Sequence, residues 1–246
     1  MDTLLNVNHV TGGYTARRPV LHDVTFDVKK KEMVGLIGLN GAGKSTTIKH
    51  VLGLMEPMYG SIRVNGQTFA DRPEQYRRAF AYIPETPLLY EELTLWEHLK
   101  VTAMAYDMER SVFEMRAEHL LREFRMEKMK NWFPSQFSKG MKQKVMIMSA
   151  FLVEPMLYVV DEPFVGLDPL AIQTFLNWMV TLKESGAGVL MSTHILATAE
   201  KYCDRFVILH EGRVALKGTI QELKEQMNLP NAGLDDIYIR VVQGER

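Results

Sequence analysis

The first 35 residues carry a two-residue rhythm. Leu4 to Val10 and Val20 to Val28 alternate apolar and polar side chains, with the turn-forming Thr11-Gly12-Gly13-Tyr14 between them. Successive side chains on a strand point to opposite faces, so this alternation predicts two half-buried strands. Lys29-Lys30-Lys31-Glu32 reads as a solvated turn. Met33-Val34-Gly35-Leu36-Ile37 shows no alternation, which predicts a strand covered on both faces. A glycine-rich loop and a helix over about Lys44 to Gly53 follow, then a short strand and tight turn over Gly60 to Gly66. From about Pro87 to Phe151 the period lengthens. Phe113, Ala117, Leu120, Leu121 and Phe124 recur three or four residues apart, the stripe of a helix that buries one face.

Strand patterns return in Met156 to Val160 and Gly188 to Ser192, on either side of a helix at about Leu170 to Glu184. Phe206 to Leu209 and Arg213 to Gly218 predict a closing pair of strands. The tail, 219–246, holds a helix over about Ile220 to Met227 and a turn at Pro230-Asn231-Ala232-Gly233. No internal repeat or low-complexity stretch interrupts this order. The plan is strand-rich, then α/β, then helical, then α/β again. We expect one domain over 1–246, with a helical subdomain near 87–151 inserted into it.

Composition narrows the function classes. The chain has 246 residues, 46% hydrophobic and 24% charged, enough to bury a core without staples. Its 29 basic and 30 acidic residues give a net charge of −1, so no broad nucleic-acid surface is indicated. One cysteine, Cys203, and seven histidines make neither a disulfide framework nor a zinc cluster. Met1-Asp2-Thr3-Leu4 does not read as a signal peptide. The apolar run Val145 to Val153 is about half of the roughly 20 residues that a membrane span needs. Nine of the 16 methionines lie between Met104 and Met156, all but Met156 inside the helical stretch.

Two segments carry chemistry. Gly38-Leu39-Asn40-Gly41-Ala42-Gly43-Lys44-Ser45-Thr46 matches G-x-x-x-x-G-K-[ST], with a predicted strand before it and a helix after it. The glycines let backbone N–H groups converge on a phosphate, and the helix start adds partial positive charge. Lys44 can reach the β- and γ-phosphates, and the Ser45 hydroxyl can ligate Mg²⁺. The second segment, Met156-Leu157-Tyr158-Val159-Val160-Asp161-Glu162, is an apolar strand ending in two acids. Such a strand delivers Asp161 to the carboxyl edge of a parallel sheet as an Mg²⁺ partner. Glu162, one residue on, can polarise an attacking water. No N-K-x-D segment reads guanine, so ATP is the expected nucleotide. Together they predict an α/β nucleotide-binding P-loop protein, and by themselves they do not say which kind.

Phe137-Ser138-Lys139-Gly140-Met141-Lys142-Gln143 lies between these segments, with Ser138 23 residues ahead of Asp161. It resembles the L-S-G-G-Q signature of ATP-binding cassette (ABC) ATPases. Tyr14 resembles the family's adenine-stacking aromatic, Ile83-Pro84-Glu85 its Q-loop, Gly166-Leu167-Asp168 its D-loop, and Met191-Ser192-Thr193-His194 its switch-histidine segment. The resemblance spans essentially the whole chain. The Ile83-Pro84-Glu85-Thr86-Pro87 segment, the Lys139-containing signature and the Leu234-Asp235-Asp236-Ile237-Tyr238 tail resemble the Ecs-type branch of bacterial transporter ATPases.

The resemblance implies a P-loop NTPase fold, with a RecA-like core of parallel sheet, an N-terminal antiparallel β subdomain and an inserted α-helical subdomain. It also implies a transport-coupled ATPase with ATP and Mg²⁺, working as a homodimer in its ATP-bound state. One chain's phosphate loop would then be closed by the partner's Ser138 and Gly140, with Asp168 at the interface. His194 would contact the γ-phosphate and help position water or Glu162. It also implies docking to a polytopic membrane subunit at the cytoplasmic face of the membrane, with export or a related process as the expected role. The methionine-rich helices, Trp96 and Trp132 are candidates for that contact. A non-transport ABC ATPase is the alternative. Only 117 residues separate Lys44 from Asp161, which leaves no room for the long coiled coil of structural-maintenance ATPases. Two departures from the family pattern stand out. Glu85 replaces a glutamine, adding a negative charge near the metal. Lys139 and Met141 replace a glycine and a glutamine of the signature, while Ser138 and Gly140 are kept.

Overall fold

The computed structural model of the chain describes residues 2–15 and 17–244. Strands β1 (Thr3–Gly12), β2 (Leu21–Lys29) and β4 (Tyr59–Val64) form an antiparallel sheet in the order β2-β1-β4. β1 runs two residues further than its alternating segment. Gly12 pairs with Leu21 and accepts a 2.8 Å hydrogen bond from Val20 N–H, so ladder pairing overrides the turn composition of Thr11-Gly12. The second sheet joins β3 (Met33–Ile37), β5 (Phe80–Ile83), β6 (Leu157–Asp161), β7 (Gly188–Ser192), β8 (Arg205–His210) and β9 (Arg213–Gly218). Its order is β5-β6-β7-β3-β8-β9, parallel throughout except for β9, which returns antiparallel to β8.

The strands that lack alternation in sequence still alternate in space. In β3, Met33 and Ile37 enter one core, and Val34 and Leu36 enter the other. In β6, Tyr158 and Val160 face the first core, and Leu157 and Val159 the second. The first core lies under the helices and includes Phe113, Phe151 and Phe175. The second lies under the antiparallel sheet and α1 (Lys44–Val51), with Val7, Phe26 and Ile48. A sheet covered on both faces needs no polar positions.

Between β5 and β6 lie α3 (Leu95–Ala105), α4 (Arg110–Glu123) and α5 (Lys139–Leu152). α4 buries Phe113, Ala117, Leu120 and Leu121, the predicted stripe. The first helix of this insertion starts at Leu95. Thr94 caps it, accepting from Glu97 N–H while Glu97 accepts from Thr94 N–H at 2.8 Å, a reciprocal start signal. Thr86 to Tyr90 therefore form an irregular segment. After β6 come α6 (Pro169–Glu184), α7 (Leu196–Tyr202), α8 (Ile220–Gln226) and α9 (Leu234–Gln243). β5, α2 (Pro73–Arg78), α7 and α9 are elements that the hydrophobic pattern did not predict. α9 did carry a signal, since Leu234, Ile237, Tyr238 and Val241 recur at helical spacing. Among the described residues, no helix is long and apolar enough to cross a membrane.

Candidate nucleotide site

Parallel strands end at one edge, and four chemistry-bearing segments leave from it. The phosphate loop follows β3, Glu85 follows β5, Asp161 ends β6 with Glu162 next to it, and His194 follows β7. The register places Asp161 beside Ser192, so the Ser192 hydroxyl donates to Asp161 Oδ1 at 2.5 Å. A cleft of about 490 Å³ opens there, lined by Gly38, Lys44, Ser45, Glu85, Glu162 and His194, among others.

The first turn of α1 is open to an anion. Its N-cap is Gly43, which makes no side-chain cap, and no acidic residue follows in that turn. The starts of α3, α5, α6 and α8 are instead closed by Thr94, Ser138, Asp168 and Thr219. Uncapped N–H groups at a helix start are an anion site by construction. Gly43 sits at φ +109°, and a Cβ there would come within 2.7 Å of Leu21, so only glycine fits the turn. Asn40, Gly41 and Ser45 are exposed along the loop, whereas Gly38, Ala42 and Thr46 are buried.

Lys44 is 6% exposed. Its ammonium donates to the carbonyls of Gly38 (2.8 Å) and Leu39 (3.4 Å) and lies 3.9 Å from Glu162 Oε1. The other Glu162 oxygen accepts from His194 N–H (3.2 Å) and meets His194 Nδ1 at 2.7 Å. Glu162 itself takes φ +44°, an unfavourable region for a residue with a side chain. Hydrogen bonds from its N–H to Ser192 O (3.1 Å) and Oγ (3.2 Å) hold it there. Strain of this kind concentrates at functional sites. Burial raises the pKa of Asp161 above the ordinary carboxylate range. The Ser192 hydrogen bond opposes that, while Glu85 and Glu162 add to it.

The donors suit a hard divalent cation. Ser45, Asp161 and Glu85 offer oxygens only, and crowding among Asp161, Glu85 and Glu162 is what bound positive charge would relieve. No group of three His, Cys, Asp or Glu side chains among the described residues is close enough to hold a metal by itself. That fits Mg²⁺, which keeps waters and shares substrate phosphates.

The remaining candidate residues do not line the cleft. Tyr14 is exposed beside α1, where Lys49 donates to its hydroxyl at 3.2 Å and sits 5.0 Å from its ring centroid. Hydrogen bonds from Lys49 and then Thr46 lower its pKa. Ser138 caps α5, accepting from Met141 N–H at 3.3 Å. A Cβ on Gly140 would collide with the Gly166 carbonyl oxygen, so the signature turn and the Gly166-Leu167-Asp168 loop are packed backbone to backbone. Asp168 caps α6 through Ala171 N–H (2.9 Å) and pairs with Lys144 (3.1 Å). The helix cap, then Lys144, hold its carboxyl below the usual range.

Of the two candidate tryptophans, Trp96 packs at a tilt on Phe113, 4.8 Å between ring centroids, with Lys130 3.5 Å above its ring, and Trp132 is exposed. Met126 and Met148 are core, while Met104 and Met115 are exposed. Two residues escaped the sequence reading. Gln143 is fully buried and donates to Pro84 O at 2.9 Å, tying the signature helix to the segment before Glu85. Its sequence signal is a polar residue on the apolar face of α5. Tyr238 of α9 lines the cleft.

The profile of the family described as ABC transporter matches residues 21–165. The chain belongs to that family. It is similar to the ABC-type transporter ATP-binding protein EcsA of Bacillus subtilis (strain 168), at 61% identity over 98% of this chain and 97% of that protein. A solved ATP-binding subunit of an ABC transporter superposes with a TM-score of 0.95 at 62% identity, covering 97% of this chain and 99% of that one. A bacterial Atm1-family ABC exporter with ATP bound shares the fold, with a TM-score of 0.82 at 23% identity over 97% of this chain and 42% of that one. The chain is thus the ATP-binding subunit of an ABC transporter, and the reaction it catalyses is hydrolysis of ATP. The uncapped start of α1 and the cleft beside it are the parts of this ABC ATPase suited to phosphate.

Proposed function

We propose that this subunit holds one half of each ATP site and completes it with a second copy. The observation that supports this is the separation within one chain: Lys44, Glu162 and His194 share a cleft that Ser138 and Gly140 do not line. Residues 1–246 act as one cassette, in which 87–151 form the helical subdomain and 219–246 the tail. The phosphate loop, Gly38 to Thr46, cradles the phosphates with Asn40, Gly41, Ala42 and Gly43 amides, and Tyr14 stacks on adenine. Lys44 trades its loop carbonyls for phosphate oxygens. From the partner copy, Ser138 and Gly140 close the γ-phosphate side, and Asp168 shapes that edge by holding α6 in place.

Hydrolysis rests on Glu162. Its Oε2, fixed by the backbone N–H and the ring Nδ1 of His194, takes a proton from the attacking water. His194 then keeps the carboxylate aimed, and Lys44 steadies charge on the phosphate oxygens. Ser45, Asp161 and Glu85 would hold Mg²⁺, which supplies charge neutralisation at the phosphates when bound. Loss of the γ-phosphate removes the contacts across the two copies, and the pair reopens.

The membrane partner is a polytopic subunit, and the working place is the cytoplasmic face of the membrane, with export or a related process as the direction. Leu88, Tyr90, Val101 and Met104, all exposed on or near α3, form the apolar surface suited to it. No nucleic acid is involved. The test is Glu162→Gln. Turnover should fall about 10²–10⁴-fold, the scale of a lost general base, while ATP stays bound and a dimer accumulates in light scattering. Near-parental turnover, or no dimer with ATP, would sink the reading.

A further inference from the structure

Tyr238 comes from the C-terminal helix, far in sequence from every phosphate-binding segment, yet it lines the same cleft as Lys44, Ser45, Glu85, Glu162 and His194. Leu234 and Ile237 bury the inner face of α9. The first turn of α9 is fastened to α7 by a 2.9 Å hydrogen bond from Leu234 N–H to Glu200 Oε2. α7 begins two residues after His194, and its first residue, Leu196, also lines the cleft. The ring of Tyr238 is therefore placed by packing on two sides. Tyr238 is half-buried, packed against the core under the helices, and its remaining surface lines the cleft. Burial raises its pKa, which keeps the phenol protonated and able to donate. The adenine end, marked by Tyr14 and Lys49, is not among the cleft residues. Tyr238 is thus at the phosphate end.

We propose that Tyr238 is a further phosphate-contacting residue, whose hydroxyl donates a hydrogen bond to the terminal phosphate of ATP. The proposal rests on the phosphates lying beside Lys44. It makes α9 a reader of nucleotide state. ATP gives the hydroxyl a partner that ADP lacks, and the helix passes that contact to α7 and the segment carrying His194.

The experiment is calorimetric titration of the full chain with ATPγS and with ADP, both with Mg²⁺. In Tyr238→Phe, which keeps the ring, ATPγS affinity should fall about 10-fold, the scale of one hydrogen bond to a charged group. ADP affinity should change less than about 2-fold. Unchanged ATPγS affinity overturns the proposal. Equal losses for both nucleotides, with a lowered Tm, overturn it too, because they assign Tyr238 to packing alone. Lys44→Ala is titrated in parallel. If that variant binds ATPγS like the parent, the placement of the phosphates is itself wrong and the proposal falls with it.

Discussion

The two regions of this subunit that we propose meet the phosphates are built in opposite ways. Around Lys44 the chain has prepared a receptor and left it open. The α1 start carries no cap, the lysine is buried against two carbonyls, and Glu162 is held in a strained backbone conformation by Ser192 and His194. Around Ser138 the chain has closed its own hydrogen bonds. Ser138 and Asp168 each cap a helix, Lys144 neutralises Asp168, and Gly140 is wedged against Gly166. The first region has unspent binding capacity. The second is rigid and presents a formed surface. Rigidity suits the proposed contact with a second copy, since little ordering would remain to be done there.

Four substitutions probe this contrast. Lys44→Ala should remove the receptor. A charge-assisted hydrogen bond contributes about 1.5–3 kcal/mol, so ATP affinity should drop roughly 10–100-fold in an equilibrium titration. Gly140→Ala should spare binding by the single chain and damage the presented surface. The added methyl meets the Gly166 carbonyl, and overpacking of this kind costs about 1–3 kcal/mol. ATPase turnover should fall about 10-fold while ATP affinity of the monomer moves less than about 2-fold. A matched loss of both would erase the contrast between the regions.

Glu85→Gln removes one charge from the crowded carboxylates. Turnover should rise a few-fold and the Mg²⁺ concentration for half-maximal activity should rise with it, as expected for a through-space effect of about 1 kcal/mol or less. An unchanged rate and an unchanged Mg²⁺ requirement would show that Glu85 does not act at the metal.

Asp161→Asn tests the electrostatic cost of the open receptor. The folded-state pKa of Asp161 is raised by burial. The stability it contributes is therefore fully present below the ordinary carboxylate pKa and is lost as pH rises through the raised value. Asparagine can still accept from Ser192. At neutral pH the nucleotide-free variant should melt about 2–4 °C higher, on the order of 1 kcal/mol for a chain of this size. The difference should vanish in acid, where the parent residue is protonated. A constant difference at all pH values would point to packing instead.

Much of this was legible without coordinates, and the reasons are local. Gly38 to Thr46 declared itself because the glycine and lysine spacing is set by the shape of a phosphate. The β3 and β6 strands were legible because both faces of a covered strand must be apolar. Three things were hidden. β5 is only four residues long, too short for a period to show. Gln143 looked like one more polar residue in a helix, although it is fully buried and bonded to Pro84. Tyr238 sat in a tail whose helical stripe was visible but whose destination was not.

The sequence alone determined which segments form a glycine-rich loop before a helix and which form a covered strand ending in two acids, because loop conformation and strand burial depend on neighbouring residues. It also determined that one helical segment would interrupt the α/β plan. Only the tertiary structure decided which of those segments meet. Sheet order brings β3, β6 and β7 side by side at one edge, and the packing of α9 on α7 carries a tyrosine from the tail into the same cleft. Contacts between distant segments are set by how buried faces fit together, and that fit is not written in any one stretch of the chain.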